Sequence, residues 1–226
     1  MSAQDSMIIP ISLGWANAFV IRGKRPVLVD TGFPGSALTI INKLAENGID
    51  PGRLSLILIT HGHTDHFGSA ATLKKETGAP VAIHKFDADA LMKGKDPPLK
   101  LTGAIGRMLM PILECRGPAT APPVKPDLII EDDIDLKNYG VDGKVIHTPG
   151  HTPGSLSVIL SSGEVIVGDL IMRGMLRFWQ PNYPLVADNM SQIKKSIKLI
   201  LSKKPSKIYC THGGPFNPKA VQRRFA

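Results

Sequence analysis

Residues 54–66 read LSLILITHGHTDH, an apolar β-type run that passes directly into three histidines and an aspartate. A run this apolar predicts a buried strand. Side chains just beyond the C-terminal end of such a strand stand where α/β proteins place their chemistry. Imidazole nitrogens with a carboxylate suit zinc, iron or manganese. Gly62, between His61 and His63, removes side-chain bulk and lets the loop fold tightly enough for both rings to reach one ion. In this composition the pattern H-x-H-x-D-H arises by chance on the order of once in a few thousand chains, which favours a metal site over a solvated loop.

This cluster is half of a site, and three downstream segments offer the other half. HTPGHTPGS sets His151 in a Gly/Pro turn after KVI, GEVIVGDL closes a β run with Asp169, and KIYCTHGG closes another with His212. Each has an ordinary explanation when taken singly: a turn residue, a cap, a core histidine. Beside the first cluster, those explanations would have to coincide three times.

The surrounding chain alternates strands and helices. NAFVIRG and VLVDTG predict a hairpin turning at Lys24–Pro26. ALTIINKLAENG carries apolar residues at helical spacing and ends in glycine. SAATLKKETG predicts a short helix and APVAIHK a strand; DLIIEDDIDL, KVIHTPG and SLSVILSSGEVIVGDL predict strands and hairpins. A helix is expected from about Asn189 to Ser202, before the strand KIYCTHG. Two sheets sandwiched between helices accommodate this order, and no linker separates independent domains, so one domain over 1–226 is expected.

One region departs from the alternation. Between Met92 and Leu128 lie seven prolines in 37 residues, around LKLTGAIGRMLMPIL. Leu101, Ile105, Met108, Leu109 and Ile112 share one apolar face, weakened by Gly103, Gly106 and Pro111. An insertion at about 92–128 reads as a lid, as a homodimer contact, or as a helix covering core.

Composition narrows the setting. With 42% hydrophobic and 20% charged residues the chain is an ordinary globular one. Cys115 and Cys210 are too few for a disulfide scaffold and fit a reducing compartment. MSAQDSM has neither the basic start nor the apolar stretch of a signal peptide. No apolar run approaches the roughly 20 residues of a membrane helix, so a cytoplasmic protein without a membrane partner is expected. The net charge of +8 is spread out, and its densest run, NMSQIKKSIKLILSKKPSK, places lysines opposite an apolar helical face. Nucleic acid is therefore not the expected partner.

The ordered set THGHTDH, TPGHTPGS, GD and THGGP resembles the metallo-β-lactamase-fold hydrolase superfamily over nearly the whole chain, and VLVDTG resembles that family's opening motif. The resemblance implies an α/β (α+β) fold, a four-layer αββα sandwich, with a dinuclear site in the cleft between its sheets. It implies that His61, His63 and His151 bind one ion, that Asp65, His66 and His212 bind the second, and that Asp169 bridges both. Asp30 would support the ligand loop through hydrogen bonds without touching metal. Zinc is the expected metal, with iron and manganese as alternatives. Two ions sharing a water lower its pKa towards roughly 7, so hydroxide is available without a serine or cysteine nucleophile. Asp65 is then the candidate to orient that water or pass on its proton.

Within the superfamily, lactamases of one subclass carry cysteine at the position of Asp169 and another lacks the bridging carboxylate, which disfavours β-lactam hydrolysis. Flavin-linked diiron members have glutamate in place of His63, and quorum-signal lactonases have tyrosine where Met172 stands. The tRNA-processing nucleases share the first cluster, but their downstream motif does not resemble HTPGHTPGS. HTPGHTPGS looks most like the glyoxalase II-type thioesterases, although those add a C-terminal helical domain and here 14 residues follow His212. Selectivity is expected from the insertion and from LIMRGMLRFWQPNYPL. There Phe178, Trp179 and Tyr183 offer an apolar wall and Arg173 and Arg177 a partner for an anion, unless the aromatics pack beneath the lid. The expected activity is hydrolysis of a small thioester, ester or lactone. The alternatives are a mononuclear iron persulfide dioxygenase and a phosphodiesterase or nuclease.

Of the remaining histidines, His147 is expected to form the turn or support the site, and His84 to be a satisfied strand residue or to line the cleft. Cys210 is expected as a buried thiol, and Cys115 carries no assignment.

Overall fold

The computed structural model describes residues 7–98, 100, 119–174, 177 and 179–225. One sheet contains β1 (Ile8–Ser12), β2 (Asn17–Ile21), β3 (Val27–Val29), β4 (Leu56–Leu58), β5 (Val81–His84) and β6 (Leu128–Ile130), side by side in that order. β1 to β3 run antiparallel and β3 to β6 parallel. The second sheet contains β7 (Ile134–Asp135), β8 (Gly143–His147), β9 (Leu156–Leu160) and β10 (Glu164–Ile166) as an antiparallel meander. β11 (Met172–Arg173) and β12 (Pro181–Asn182) form a small separate ribbon. β13 (Lys207–Tyr209) then adds to the second sheet, parallel to β10.

Three apolar clusters show how the layers stack. Alternate residues of the central strands point to opposite faces. Leu28, Ile57 and Ile83 pack under α1 (Ala37–Glu46), α3 (Ala70–Thr77) and α4 (Ala88–Lys93), meeting Ile40, Leu44, Leu73 and Leu91. Val27, Val29, Leu56 and Leu58 face the other sheet and meet Val145, Val158, Leu160 and Ile166. Beyond that sheet, Val165 and Ile208 pack on Ile193, Ile197 and Ile200 of α5 (Met190–Ser202) and Val221 of α6 (Pro218–Phe225). The order is helices, sheet, sheet, helices: the expected αββα sandwich.

Local chemistry agrees with these elements. α5 buries Ile193, Ile197 and Ile200 and leaves Lys194, Lys195 and Lys198 in solvent, so the densest basic run is a helix's outer face. Its cap is Asn189, whose Oδ1 accepts from the backbone N–H of Ser191 at 3.0 Å and Gln192 at 3.1 Å, a bond pair contributing about 1 kcal/mol. β1 escapes a sequence reading because Pro10 interrupts it. It is an edge strand, where the missing N–H costs no ladder bond. Of the Pro-rich insertion, Met92 and Lys93 finish α4, while the apolar face from Leu101 to Ile112 lies outside the described residues.

The strand ends that matter share one edge. β3, β4 and β5 of the first sheet and β8, β10 and β13 of the second all run into loops there. Backbone bonds tie the sheets together at this edge: Asn17 N–H to Thr211 O and Leu156 N–H to Thr60 O, both 2.9 Å. Among the described residues, no helix is long and apolar enough to cross a membrane.

Candidate metal centre

The donors arrive from both sheets. The loop after β4 carries His61 and His63, then a single helical turn, α2 (Thr64–Phe67), that presents Asp65 and His66. His151 stands in the turn after β8, Asp169 three residues past β10 and His212 three past β13. Backbone geometry permits these turns at specific glycines. Gly150 has φ +139° and Gly168 φ +52°, and a Cβ on Gly150 would lie 2.5 Å from the backbone nitrogen of Ile193. Gly62 is required for a different reason from the one its position implies. A Cβ there would meet Ala90 at 2.9 Å and Asp87 at 3.1 Å, so the glycine admits α4 and its leading loop against the ligands.

Three nitrogens form a near-equilateral triangle. His61 Nε2, His63 Nδ1 and His151 Nε2 are each 3.0 Å from the other two. A hydrogen bond needs one protonated and one bare nitrogen, so at most two edges of any such triangle can be satisfied by protons. A cation at the apex satisfies all three lone pairs together. Zinc–nitrogen bonds of about 2.0–2.1 Å set tetrahedral donors roughly 3.3 Å apart, close to the edges seen here. Burial pushes all three rings below the ordinary imidazole range, His63 to about 3, and neighbouring histidines add to it. The rings are therefore neutral donors at physiological pH.

The second cluster is built from the opposite charge. His212 Nε2 lies 3.1 Å from both Asp65 Oδ2 and Asp169 Oδ2, and His66 Nε2 lies 3.5 Å from Asp169 Oδ1. Burial opposes a proton on these rings, but the carboxylates outweigh it. His66 is held well above its usual range by Asp30, Asp169 and Asp65, and His212 is raised to about 10, chiefly by Asp169. The field that retains a proton there equally favours a metal cation. His66 Nε2 and Asp169 Oδ1 are buried without a hydrogen-bond partner, an arrangement that costs energy unless something else occupies the space between them. Asp169 touches both clusters, its Oδ2 also lying 3.8 Å from His151 Nε2. The donor set thus fits two cations: His61, His63 and His151 could hold one, Asp65, His66 and His212 the other, with Asp169 between them.

The remaining nitrogens of the rings are fixed from behind. His66 Nδ1 hydrogen-bonds Asp30 Oδ2 at 2.8 Å, His151 Nδ1 bonds Val186 O at 2.6 Å and His212 Nδ1 bonds Trp15 O at 3.1 Å. Each turns Nε2 towards the other donors, where a cation could take the place of a proton. Asp30 also accepts from the Thr60 N–H at 2.8 Å and from the Thr60 and Thr211 hydroxyls. It does so from a left-handed backbone, φ +61°, uncommon for a residue other than glycine and held by bonds on every side.

The expected pocket residues separate. Arg173 belongs to the site's rim, its backbone N–H donating to His212 O at 2.8 Å and its guanidinium 5.1 Å from the ring of Trp15. Arg177 and Trp179 stand on an exposed turn, Trp179 73% exposed. Phe178 lies outside the described residues. Tyr183 is placed elsewhere than expected: its ring packs 4.7 Å from Phe225 of α6, against the third apolar cluster. His147 closes its turn through a 2.8 Å bond to Pro153 O, and His84 stacks on it at 4.2 Å, away from the ligands. Cys210 is a buried thiol pushed up by burial, and Cys115 lies outside the described residues.

Three contributors were not anticipated from sequence. Trp15, half exposed, lies 5.6 Å from the His212 ring. Asp96 accepts from the Thr64 N–H at 2.6 Å, pinning the start of α2. Asp87 bonds both the loop of His61 and His63 and the loop of His151. Asp87 carried a usable signal, since it follows β5 as the ligands follow their strands.

Known proteins share this fold. The model of the metallo-beta-lactamase superfamily matches residues 14–212. The probable metallo-hydrolase MJ0888 of Methanocaldococcus jannaschii is 29% identical over 202 residues, 88% of this chain and 87% of its own. The crystal structure of BLEG-1 B3 metallo-beta-lactamase aligns at 23% identity with a TM-score of 0.72, covering 97% of this chain and 98% of that one. That of TTHA1623 in a di-iron-bound form aligns at 24% identity with a TM-score of 0.70, covering 96% and 98%. At such identities the two structures speak for the fold alone. The family match takes in His61 through His212, so the sandwich and its converging donors have one reading: this chain belongs to the metallo-beta-lactamase superfamily.

Proposed function

We propose that this chain is a dinuclear metal-dependent hydrolase acting on a small carbonyl substrate, a thioester, ester or lactone. The observation that carries the reading is the pair of adjoining donor clusters, one neutral and one carboxylate-rich, with Asp169 against both. The di-iron form of the structurally similar TTHA1623 supports two ions, and the motif HTPGHTPGS supports a glyoxalase II-like chemistry. Two divalent ions held here would lower the pKa of a shared water towards about 7 and polarise a substrate carbonyl.

The protein's own groups divide the remaining tasks. His61, His63 and His151, kept neutral by burial, present lone pairs without competing for protons. Asp169, fully enclosed, compensates charge between the clusters. Asp65 has a side chain 20% exposed, so among the ligand carboxylates it is the one that reaches substrate and water. It orients the attacking water, takes its proton and passes it to the leaving group. Trp15 and Arg173 flank the opening beside His212, where an apolar acyl chain or an anionic group would rest.

Elemental analysis of protein purified without added metal, followed by a panel of thioester, ester, lactone and phosphodiester substrates, tests this. Two divalent ions per chain and turnover of a carbonyl substrate are expected. A single iron with oxygen uptake, or steeply salt-sensitive phosphodiester cleavage, overturns it.

A further inference from the structure

Asp87 occupies the N-cap position of α4, yet its side chain makes no bond to that helix. Aspartate at an N-cap normally stabilises its own helix by about 1 kcal/mol. Here the carboxylate turns away and is almost wholly buried. Its Oδ2 accepts from the Gly62 N–H at 2.9 Å and the Thr152 hydroxyl at 2.6 Å, and its Oδ1 accepts from the Gly154 N–H at 3.1 Å. Gly62 stands between His61 and His63; Thr152 and Gly154 follow His151. One carboxylate therefore joins the two loops that supply the three-nitrogen triangle.

The packing is specific to this arrangement. A Cβ on Gly154 would fall 2.6 Å from Asp87 Cγ, and one on Gly62 would fall 3.2 Å from Asp87 Cβ. Both loops have given up side chains where the carboxylate seats. The two loops belong to different sheets, and nothing in either loop alone sets the spacing of His151 from His61 and His63. A buried acceptor shared by donors from both does.

We propose that Asp87 is a positioning residue that sets the His61–His63–His151 triangle at ion-binding size, without touching ion or substrate. This rests on the reading that those three rings hold an ion. Asp87→Asn keeps the shape but removes one acceptor. Whichever way the amide turns, one glycine N–H faces another donor. Loss of such a supporting bond is expected to weaken the ion at the triangle by about 10–100-fold and leave the Asp65–His66–His212 ion unchanged.

The test is titration of metal-depleted full-length protein with cobalt(II), read by visible absorption and by elemental analysis after desalting, with circular dichroism for the fold. Wild type is expected to bind two ions and Asp87→Asn to retain one tightly, with an altered cobalt spectrum and native circular dichroism. Thr152→Val, which deletes only the hydroxyl donor, is expected to show a smaller loss at the same site and keeps the test open if Asp87→Asn fails to fold. Wild-type affinity at both sites in the folded variants, or equal weakening of both, overturns the role of Asp87. Failure of wild type itself to bind an ion removes the parent reading instead.

Discussion

His66 is held between two carboxylates: its Nδ1 is 2.8 Å from Asp30 Oδ2 and its Nε2 is 3.5 Å from Asp169 Oδ1. The first contact fixes the tautomer and so aims the second nitrogen's lone pair into the centre. Asp30→Asn should weaken the ion at Asp65, His66 and His212 by about 10–100-fold. Asp30→Ala also leaves the Thr60 and His66 donors buried and unanswered, and should cost about 3–5 kcal/mol of stability. Competition with a chelator reads the first effect and urea denaturation the second; unaltered values in both would separate Asp30 from the site.

Asp169→Ala removes the carboxylate that lies against both clusters, and His61→Ala breaks two edges of the triangle. Either change should lower kcat/KM by about 1000-fold or more while the far-UV spectrum stays native. A variant with wild-type rates would remove its residue from the mechanism.

Extraction with a chelator should abolish turnover and lower the melting temperature, because an ion bound only by the folded state stabilises it by mass action. The contribution is about 2.7 kcal/mol when free ion stands at 100 times its dissociation constant. Adding zinc, iron or manganese back singly, and following both melting temperature and rate, should identify which metal restores both.

His84 gives an acid-side signature separate from the ligands. Burial and the stacked His147 lower it to about 4, below the roughly 6.5 of an unfolded histidine. The unfolded chain thus binds more protons in that interval, so the stability tied to neutral His84 is whole above about pH 6.5 and is lost as pH falls through 4. In His84→Phe, urea midpoints followed from pH 7 to 4 should fall less steeply than in wild type, by up to about one proton's worth of slope. Parallel slopes would exclude His84 as the source.

The helix after Ser69, the strands before His61 and His151 and the helix after Asn189 were all legible, because each is a local pattern of apolar spacing with a stop signal. The candidate donors were legible for a related reason: His61, His151, Asp169 and His212 stand just past recognisable strands, and Asp65 and His66 follow on the turn after His61. Asp87 is only half legible: its place after β5 puts it at the edge of the site, but its N-cap position says helix start and only the packed loops reveal its bonds to Gly62 and Gly154. Tyr183 illustrates the converse. An aromatic near the expected cleft reads as a pocket wall, yet the ring of Phe225, 42 positions later in sequence, captured it. α6 itself had a readable start, Asn217 before Pro218, with Asn217 Oδ1 accepting from the Lys219 N–H at 2.9 Å.

The bonds that cross from Asn17 to Thr211 and from Thr60 to Leu156 have a bearing on biosynthesis. A ribosome releases the histidine-rich loop long before residue 212, so for much of translation the loop's three imidazoles and one carboxylate lack their counterparts. Only when the last strand, β13, docks beside β10 do all seven candidate donors stand together.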